Sequence, residues 1–576
     1  MNSQISRRKI VAAPFALAGC ANASSYFCKT TIPLKQRLVH SNGEEPSSLD
    51  PAQSAGSNGD SIVAALLDSL TSLHPLTLEP AAGLATHYEV DSRGFRYTFF
   101  LRGHPHPRGI RLPNTDSLPH EFTRGRRAPP DRIPALWSDN TPVTAHDFVY
   151  AWRRVVDPAT AAPLSFYLAP IGNAQEIIRA TKPASALAVR ALDDLAFQFD
   201  LTVPTPWLIR LLWQPLLAAV PRRSIEAARQ RGQESSWTSA VHYVSSGPFR
   251  LRQWQPFERV VLSRNPQYWE AESVTIDELV FLPIANGTTN VSLYKAGEMQ
   301  SMNPRLVPPL FIPALRQKKD FAMSGALRTF GYTCNVTKPP LDRLLLRYAL
   351  NLATDKAAIA GYLKAGQKPA HGMVSLLPGY PPVQKLPVFF AGRTLDVMSF
   401  DPPAARELLR AEGIADLELS LIAVVRPRSK EIAEIVQRQW RAYLGIRLRV
   451  KFQEETVWEQ TFIQKQYTRI IEDTWTMFVD DPYDFLAQVG PAQIYTWTDP
   501  EFDRAFHNAN AIADPTQRMN ALADCEAHMM KAMPTIPLFH DSWTHLQAPY
   551  VHGLRPNPFG MPRFKYAWID TNWRPS

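Results

Sequence analysis

A mixed α/β protein of several domains is the fold class that the sequence predicts, on three observations. The chain has 576 residues, well past the size at which a single core keeps growing. Stretches of strand period, such as Phe95, Tyr97, Phe99 and Leu101 set between Arg96, Thr98, Phe100 and Arg102, are followed by stretches of helical period. The 51 prolines against 26 glycines, in a chain 45% hydrophobic and 20% charged, supply stiff turns between such elements rather than disorder.

The N-terminal residues read as an export signal. Ser6-Arg7-Arg8-Lys9 precedes an apolar run from Ile10 to Gly19 and then Cys20, a run too short to stay in a bilayer as a helix. Leu17-Ala18-Gly19-Cys20 resembles the bacterial lipobox, in which the cysteine is lipidated and becomes the new N-terminus. Ala21-Asn22-Ala23 offers the rival A-x-A cleavage, which would release a soluble protein. Residues 1–23 are therefore expected to be a signal of lipoprotein type, with the body outside the cytoplasm, in a bacterial periplasm or envelope, and attached to the membrane by a lipid anchor only. Ser6-Arg7-Arg8 partly matches a twin-arginine signal, though Ile10-Val11 stands where that pattern prefers Phe-Leu. Of the remaining cysteines, Cys28, Cys334 and Cys525, none forms a C-x-x-C pair, so zinc is not expected. A Cys334–Cys525 disulfide and two buried free thiols are both open.

Along the chain, Leu38 to Asp50 reads as a strand ending in a turn at Asp50-Pro51, and Asp91-Ser92-Arg93-Gly94 turns into the strand at Phe95. From His104 to Leu136 seven prolines and six arginines with little periodicity suggest an exposed insertion. A helix is expected after Thr144 as N-cap, with Asp147 completing a capping box; Phe148, Val149, Trp152, Val155 and Val156 would face the core and Arg153 and Arg154 the solvent. Ser246-Gly247-Pro248-Phe249 opens a second strand-rich block that ends at Asn265-Pro266. Leu341 to Leu363 reads as a helix with Asp342 as cap. Further helices are expected near 403–412, 429–443 and 515–532, with strands at 417–423 and 446–452.

The usual catalytic signatures, among them G-x-S-x-G, a phosphate loop, G-x-G-x-x-G and H-E-x-x-H, are absent from the sequence. His104 and His106 fall in the proline-rich insertion, and Cys525 and His528 lack further ligands, so neither pair reads as a metal site. No cofactor is expected. The formal charge of +9 is spread along the chain without a basic block, which argues against nucleic acid. The notable acidic group is Asp480, Asp481 and Asp484, after Trp475. It reads as helix capping around Asp481-Pro482 or as a seat for a ligand ammonium.

An ordered set of short motifs is similar to the oligopeptide-binding family of ABC-importer substrate-binding proteins, solute-binding family 5. The set runs from Leu49-Asp50-Pro51 through Tyr97-Thr98-Phe99, Trp137-Ser138-Asp139 with Asp147-Phe148-Val149-Tyr150-Ala151-Trp152, and Ser246-Gly247-Pro248-Phe249. It continues through Asn265-Pro266 with Tyr268-Trp269, Tyr294-Lys295-Ala296-Gly297-Glu298, Lys338-Pro339-Pro340, Asp355-Lys356 and Ile536-Pro537-Leu538. Each is weak alone; together they span about residues 38–576. The resemblance implies a type II periplasmic-binding-protein fold of cluster C, two hinged lobes with an extra α/β domain inserted in the first. Lobe 1 would be 24–67 with 221–308 and 541–576, the inserted domain 68–220, and lobe 2 309–540. It also implies a monomer that traps a peptide or peptide-like solute between its lobes and hands it to membrane permease subunits without enzymatic change. A sensor, chaperone or envelope interaction protein on the same fold is the alternative.

Carried over residue by residue, the resemblance makes Ala55, Gly56 and Ser57, with Thr474, Trp475 and Thr476, the segments that pair with a peptide main chain. Ser246 and Gly247 would lie near the hinge and Tyr167 would be a pocket wall. Peptide-binding relatives carry an aspartate three residues after the matching tryptophan to hold the α-amine. Phe478 stands there in this chain, so Asp480 is the candidate replacement, and Glu472 occupies a position that is basic in some relatives. A modified peptide or another small solute is left open by this departure.

Overall fold

Three sheets organise the protein in the computed structural model, which describes residues 24–54, 57–114, 118–489 and 495–574. The first sheet has the strand order Ser301–Met302, Arg37–Ser41, Glu278–Leu282, Arg259–Arg264, Phe249–Gln255. Arg37–Ser41 runs parallel to both neighbours and the later strands form antiparallel hairpins. The second sheet is antiparallel throughout and contains Ile110–Arg111, Ala85–Val90, Arg96–Leu101, Ala196–Asp200 and Val189–Asp193 in that order. The third, in the order Lys368–Pro369, Thr535–Leu546, Phe321–Cys334, Ile470–Thr476, Glu418–Val424, Arg447–Gln453, mixes antiparallel and parallel pairs.

The insertion of the second sheet between strands of the first follows from the chain order, and its core explains the tryptophans of the 137–152 stretch. The helix Ala145–Val156 begins at Thr144, whose N–H donates to the Asp147 carboxylate at 2.9 Å. Trp152 is fully buried against Phe197 and Phe199 at 5.0 and 5.2 Å, and its indole N–H donates to the Leu217 carbonyl. Trp137 lies against the same capping carboxylate.

One expectation for this helix fails. Arg153 is partly exposed, but Arg154 is buried and donates to both oxygens of Asp50 at 3.3 and 2.7 Å. Its position beside the apolar stripe is tolerated because a buried guanidinium with a bidentate carboxylate is compensated. Asp50 thereby ties the inserted domain to the first sheet.

The two longest strands, Phe321–Cys334 and Thr535–Leu546, pair from Phe321↔Leu546 to Thr333↔Thr535. The boundary expected at 540/541 falls inside the second of them. Leu341 to Leu363 is two helices, Leu344–Leu352 and Lys356–Leu363. Asp342 caps neither: the first begins after Arg343, and Asp355 accepts from Ala358 N at 2.8 Å to start the second. The helices Pro402–Ala411, Pro427–Leu444 and Pro515–Ala532 and the strands Glu418–Val424 and Arg447–Gln453 lie where the periodicity places them.

The Pro/Arg-rich insertion is less exposed than its composition suggests. Leu112, Phe122 and Ala135 are buried. Phe122 meets Tyr566 edge-on, Glu121 pairs with Arg555 at 2.6 Å, and Trp568 donates to the Glu121 carbonyl. The segment is docked on the C-terminal stretch by a few apolar and ionic contacts that composition alone does not reveal. Cys334 and Cys525 are buried free thiols. Among the described residues no helix is long and apolar enough to cross a membrane.

Candidate ligand-binding site

A cavity of about 240 Å³ lies between the first and third sheets. One wall is the strand Ile470–Thr476, and its period of two decides which side chains face the space. Glu472, Thr474 and Thr476 line it, so Asp473 and Trp475 point to the opposite face. Trp475 is wholly buried there and donates to the Tyr495 hydroxyl at 2.7 Å. On the next strand Arg328 stands opposite Thr476 and so shares the cavity face.

The other edge of this strand is only partly used. Glu418–Val424 pairs with it at Ile470 and Ile471 alone, so from Glu472 to Thr476 the main chain has no strand partner on that edge among the described residues. It is met by side chains instead: Trp458 Nε1 donates to the Glu472 carbonyl at 3.1 Å, Thr474 N to Asp473 Oδ1 at 2.6 Å and Gln488 Nε2 to the Thr476 carbonyl at 3.4 Å. Val424, Arg426 and Glu455 line the space thus opened. Arg426 and Glu455 follow the C-terminal ends of two parallel strands, where open α/β sheets commonly form ligand crevices. Asn58, Asp60, Arg305, Phe559 and Met561 close the cavity from the first sheet's side, and Gln214 from the inserted domain.

Residues 478–484 form a clamp beside this cavity. Asp484 is fully buried and accepts from the Tyr167 hydroxyl and from the backbone N–H groups of Phe478 and Val479. Burial lifts its carboxyl to about 6 against the pull of those donors. Asp481 caps the helix Pro482–Val489 through Tyr483 N at 2.9 Å and holds Arg518 bidentately at 2.7 and 2.8 Å. Trp207 stacks on Tyr483 at 4.0 Å, and Gln214 donates to the Phe478 carbonyl. The inserted domain and the third sheet are thus joined by polar groups that satisfy one another.

The structure distributes the expected binding residues unevenly. Thr474, Thr476 and Phe478 line the cavity, whereas Trp475 supports it from behind. Tyr167 is buried against Phe478 at 5.8 Å, with its hydroxyl committed to Asp484. Asp480 is held in both oxygens by Arg210, which also bonds Glu79 at 2.8 Å. Ser246 and Gly247 lie away from the cavity. Ser246 Oγ accepts from Asp68 N, and Gly247 packs so closely on Leu66 that a Cβ there would sit 2.8 Å from its carbonyl carbon. Ala55, Gly56 and Cys20 lie outside the described residues, as does the side chain of Ser57.

Sequence reasoning missed Arg305, Arg328, Arg426, Glu455 and Trp458, all of which line the cavity. A signal existed for one of them: Arg426-Pro427-Arg428 directly follows the apolar run of a strand and precedes an amphipathic helix. For Arg305 and Arg328, nothing local marks them.

Residues 134–496 match the model of the bacterial extracellular solute-binding proteins, family 5. The chain belongs to that family. Among its relatives is the periplasmic oligopeptide-binding protein OppA of Salmonella typhimurium, 29% identical with 96% of each chain covered. Another is the Probable deoxycholate-binding periplasmic protein YgiS of Escherichia coli, 26% identical, covering 91% of this chain and 92% of the relative. The crystal structure of Haemophilus influenzae OppA in complex with RPPGFSPFR superposes with a TM-score of 0.78, at 26% identity, over 94% of this chain and all of that one. The two hinged lobes with an inserted third domain are thus the architecture of a known class of binding protein.

Proposed function

We propose that this protein is the extracytoplasmic receptor of an ABC importer, which closes on a short peptide or peptide-like solute and presents it unaltered to membrane permease subunits. The observation that carries the reading is the edge of the strand segment Glu472–Thr476 along the cavity, which no described strand pairs and whose main chain is met instead by side chains of Trp458, Asp473 and Gln488 that an incoming main chain would displace. An extended peptide adds to such an edge through its main chain, while side-chain pockets set preference. The cavity, about 240 Å³, is below the roughly 300–1,000 Å³ of drug-sized sites, which favours a short ligand. The relatives named for oligopeptide binding support the peptide class.

On this reading 24–67 with 221–308 and 541–576 move as one lobe carrying 68–220, against 309–540, and Cys20 is the point of lipid attachment. Asp480 is occupied by Arg210, so it is not the anchor for a ligand amine on this reading. Native mass spectrometry of the purified protein tests the proposal. A stoichiometric small peptide or peptide-like compound, recovered unchanged after prolonged incubation with fresh protein, is the expected result. Conversion of that compound to a product, or a thermal-shift screen in which no peptide raises the melting temperature and another solute class does, would overturn it.

A further inference from the structure

Arg328 is a poorly compensated buried charge in the cavity wall. Its side chain is only 9% exposed, its Nε has no hydrogen-bond partner among the described residues, and its Nε is 4.0 Å from the nearest Asp541 oxygen. That carboxylate is already engaged by Arg428 at 2.7 Å. Arg426, also in the wall, is engaged by Glu455 and approached by Glu44. Arg305 reaches the same place from the opposite side: it follows the edge strand Ser301–Met302 of the first sheet, whereas Arg328 belongs to the third.

The two guanidiniums share one platform. Arg305 lies 5.3 Å and Arg328 5.7 Å from the ring of Trp543. The indole is fixed by its N–H donating to the Pro558 carbonyl and by Gly560 packed on it, where a Cβ would come within 2.9 Å. Stacking on an aromatic face orients a guanidinium but leaves its in-plane N–H fork free. Like charges gathered in a desolvated pocket are costly: burial and then the charge of Arg305 pull Arg328 well below its usual range, and burial and then the charge of Arg426 pull Arg305 down to about 10.

We infer that the ligand is an acid whose carboxylate sits between Arg305 and Arg328. This rests on the solute-binding reading above and narrows it to a substrate class. A planar carboxylate accepts from two guanidinium forks at once. Glu455 and Glu459, which line the same cavity, favour a singly charged group over a phosphate dianion. Because the two arginines come from different sheets, the anion draws the lobes together as it binds, so the group that confers specificity also stabilises closure.

The test uses the ligand-free full chain and a pool of N-acetylated tripeptides of mixed sequence, prepared once as free acids and once as C-terminal amides, with retained peptides quantified by mass spectrometry. At least tenfold enrichment of the acids is expected for the wild type. That preference should fall below threefold in both Arg328→Met and Arg305→Met, with Arg328→Met melting no lower than the wild type because a buried uncompensated charge has been removed. Equal retention of both forms by the wild type, or an acid preference that survives in both variants, would refute the carboxylate seat and leave the peptide-receptor reading intact. Retention of neither form would defeat both.

Discussion

The clamp at residues 478–484 and the arginine-lined wall of the cavity are neighbours, yet they handle buried charge in opposite ways. In the clamp each carboxylate has its partners: Asp481 with Arg518, Asp484 with Tyr167 and two backbone N–H groups, Asp480 with Arg210. In the wall, the Nε of Arg328 and one oxygen of Glu472 are left without hydrogen bonds among the described residues, as is one oxygen of Asp541 behind it. A buried charge or polar group that lacks a partner costs several kcal/mol unless something arrives to pair with it. The contrast separates polar groups that satisfy one another from those that do not. The same residue types serve both ends, and only the pairing tells them apart.

The largest effect is expected where the paired set is broken. Asp484→Ala leaves the Tyr167 hydroxyl and the N–H groups of Phe478 and Val479 buried without their acceptor. A loss of about 3 kcal/mol follows from orphaning several buried donors, read as a lower midpoint in urea unfolding. A midpoint within error of the wild type would mean that the clamp is not a structural unit.

The unpaired set should respond in the opposite direction. Glu472 accepts from Ser429 at 2.7 Å through one oxygen, and burial lifts its carboxyl from 4.5 to about 7. The folded state therefore holds a proton that the unfolded chain releases above about 4.5, so this residue's contribution to stability declines as pH rises through about 7. Gln cannot ionise. Glu472→Gln should match the wild type near pH 5 and exceed it at pH 8 by on the order of 2 kcal/mol, by linkage from the shifted acid. Parallel melting curves at the two pH values check this, and a difference that is the same at both would show that Glu472 is not buried as a raised acid.

Much of this architecture was legible in the chain and the decisive part of the site was not, for a physical reason. Strand and helix positions follow from period and capping, which are local: Asp147 at the start of one helix, Pro427 and Pro515 at the first turn of two others. Period two also sorts Thr474 and Thr476 from Trp475 once the strand is recognised. Compensation of charge is not local. Arg154 reads as solvated because Asp50, its partner, is far away in sequence. Arg328 reads as an ordinary strand residue because its burial is set by Trp543 and Asp541 from another strand. Asp480 looks like a free anchor until Arg210 of the inserted domain is placed against it.

The smallest stability effect, and the one that bears most directly on motion, belongs to that Arg210–Asp480 pair. Its side chains are 27% and 22% exposed, so solvent screens the attraction and the pair contributes about 1 kcal/mol or less to stability. Yet it joins the inserted domain to the third sheet, and hinge closure is governed by differences of this size between open and closed forms. Arg210→Met should leave the melting temperature nearly unchanged while shifting the ligand-free population toward the open form, seen as a larger radius of gyration in small-angle scattering. Because Arg305 and Arg328 lie elsewhere, an added acidic ligand should still restore the compact value, at a somewhat higher concentration. If the variant instead scatters like the wild type without ligand, the pair is a surface contact only, and closure is held by the buried members of the clamp, Asp484 with Tyr167 and Trp207 with Tyr483.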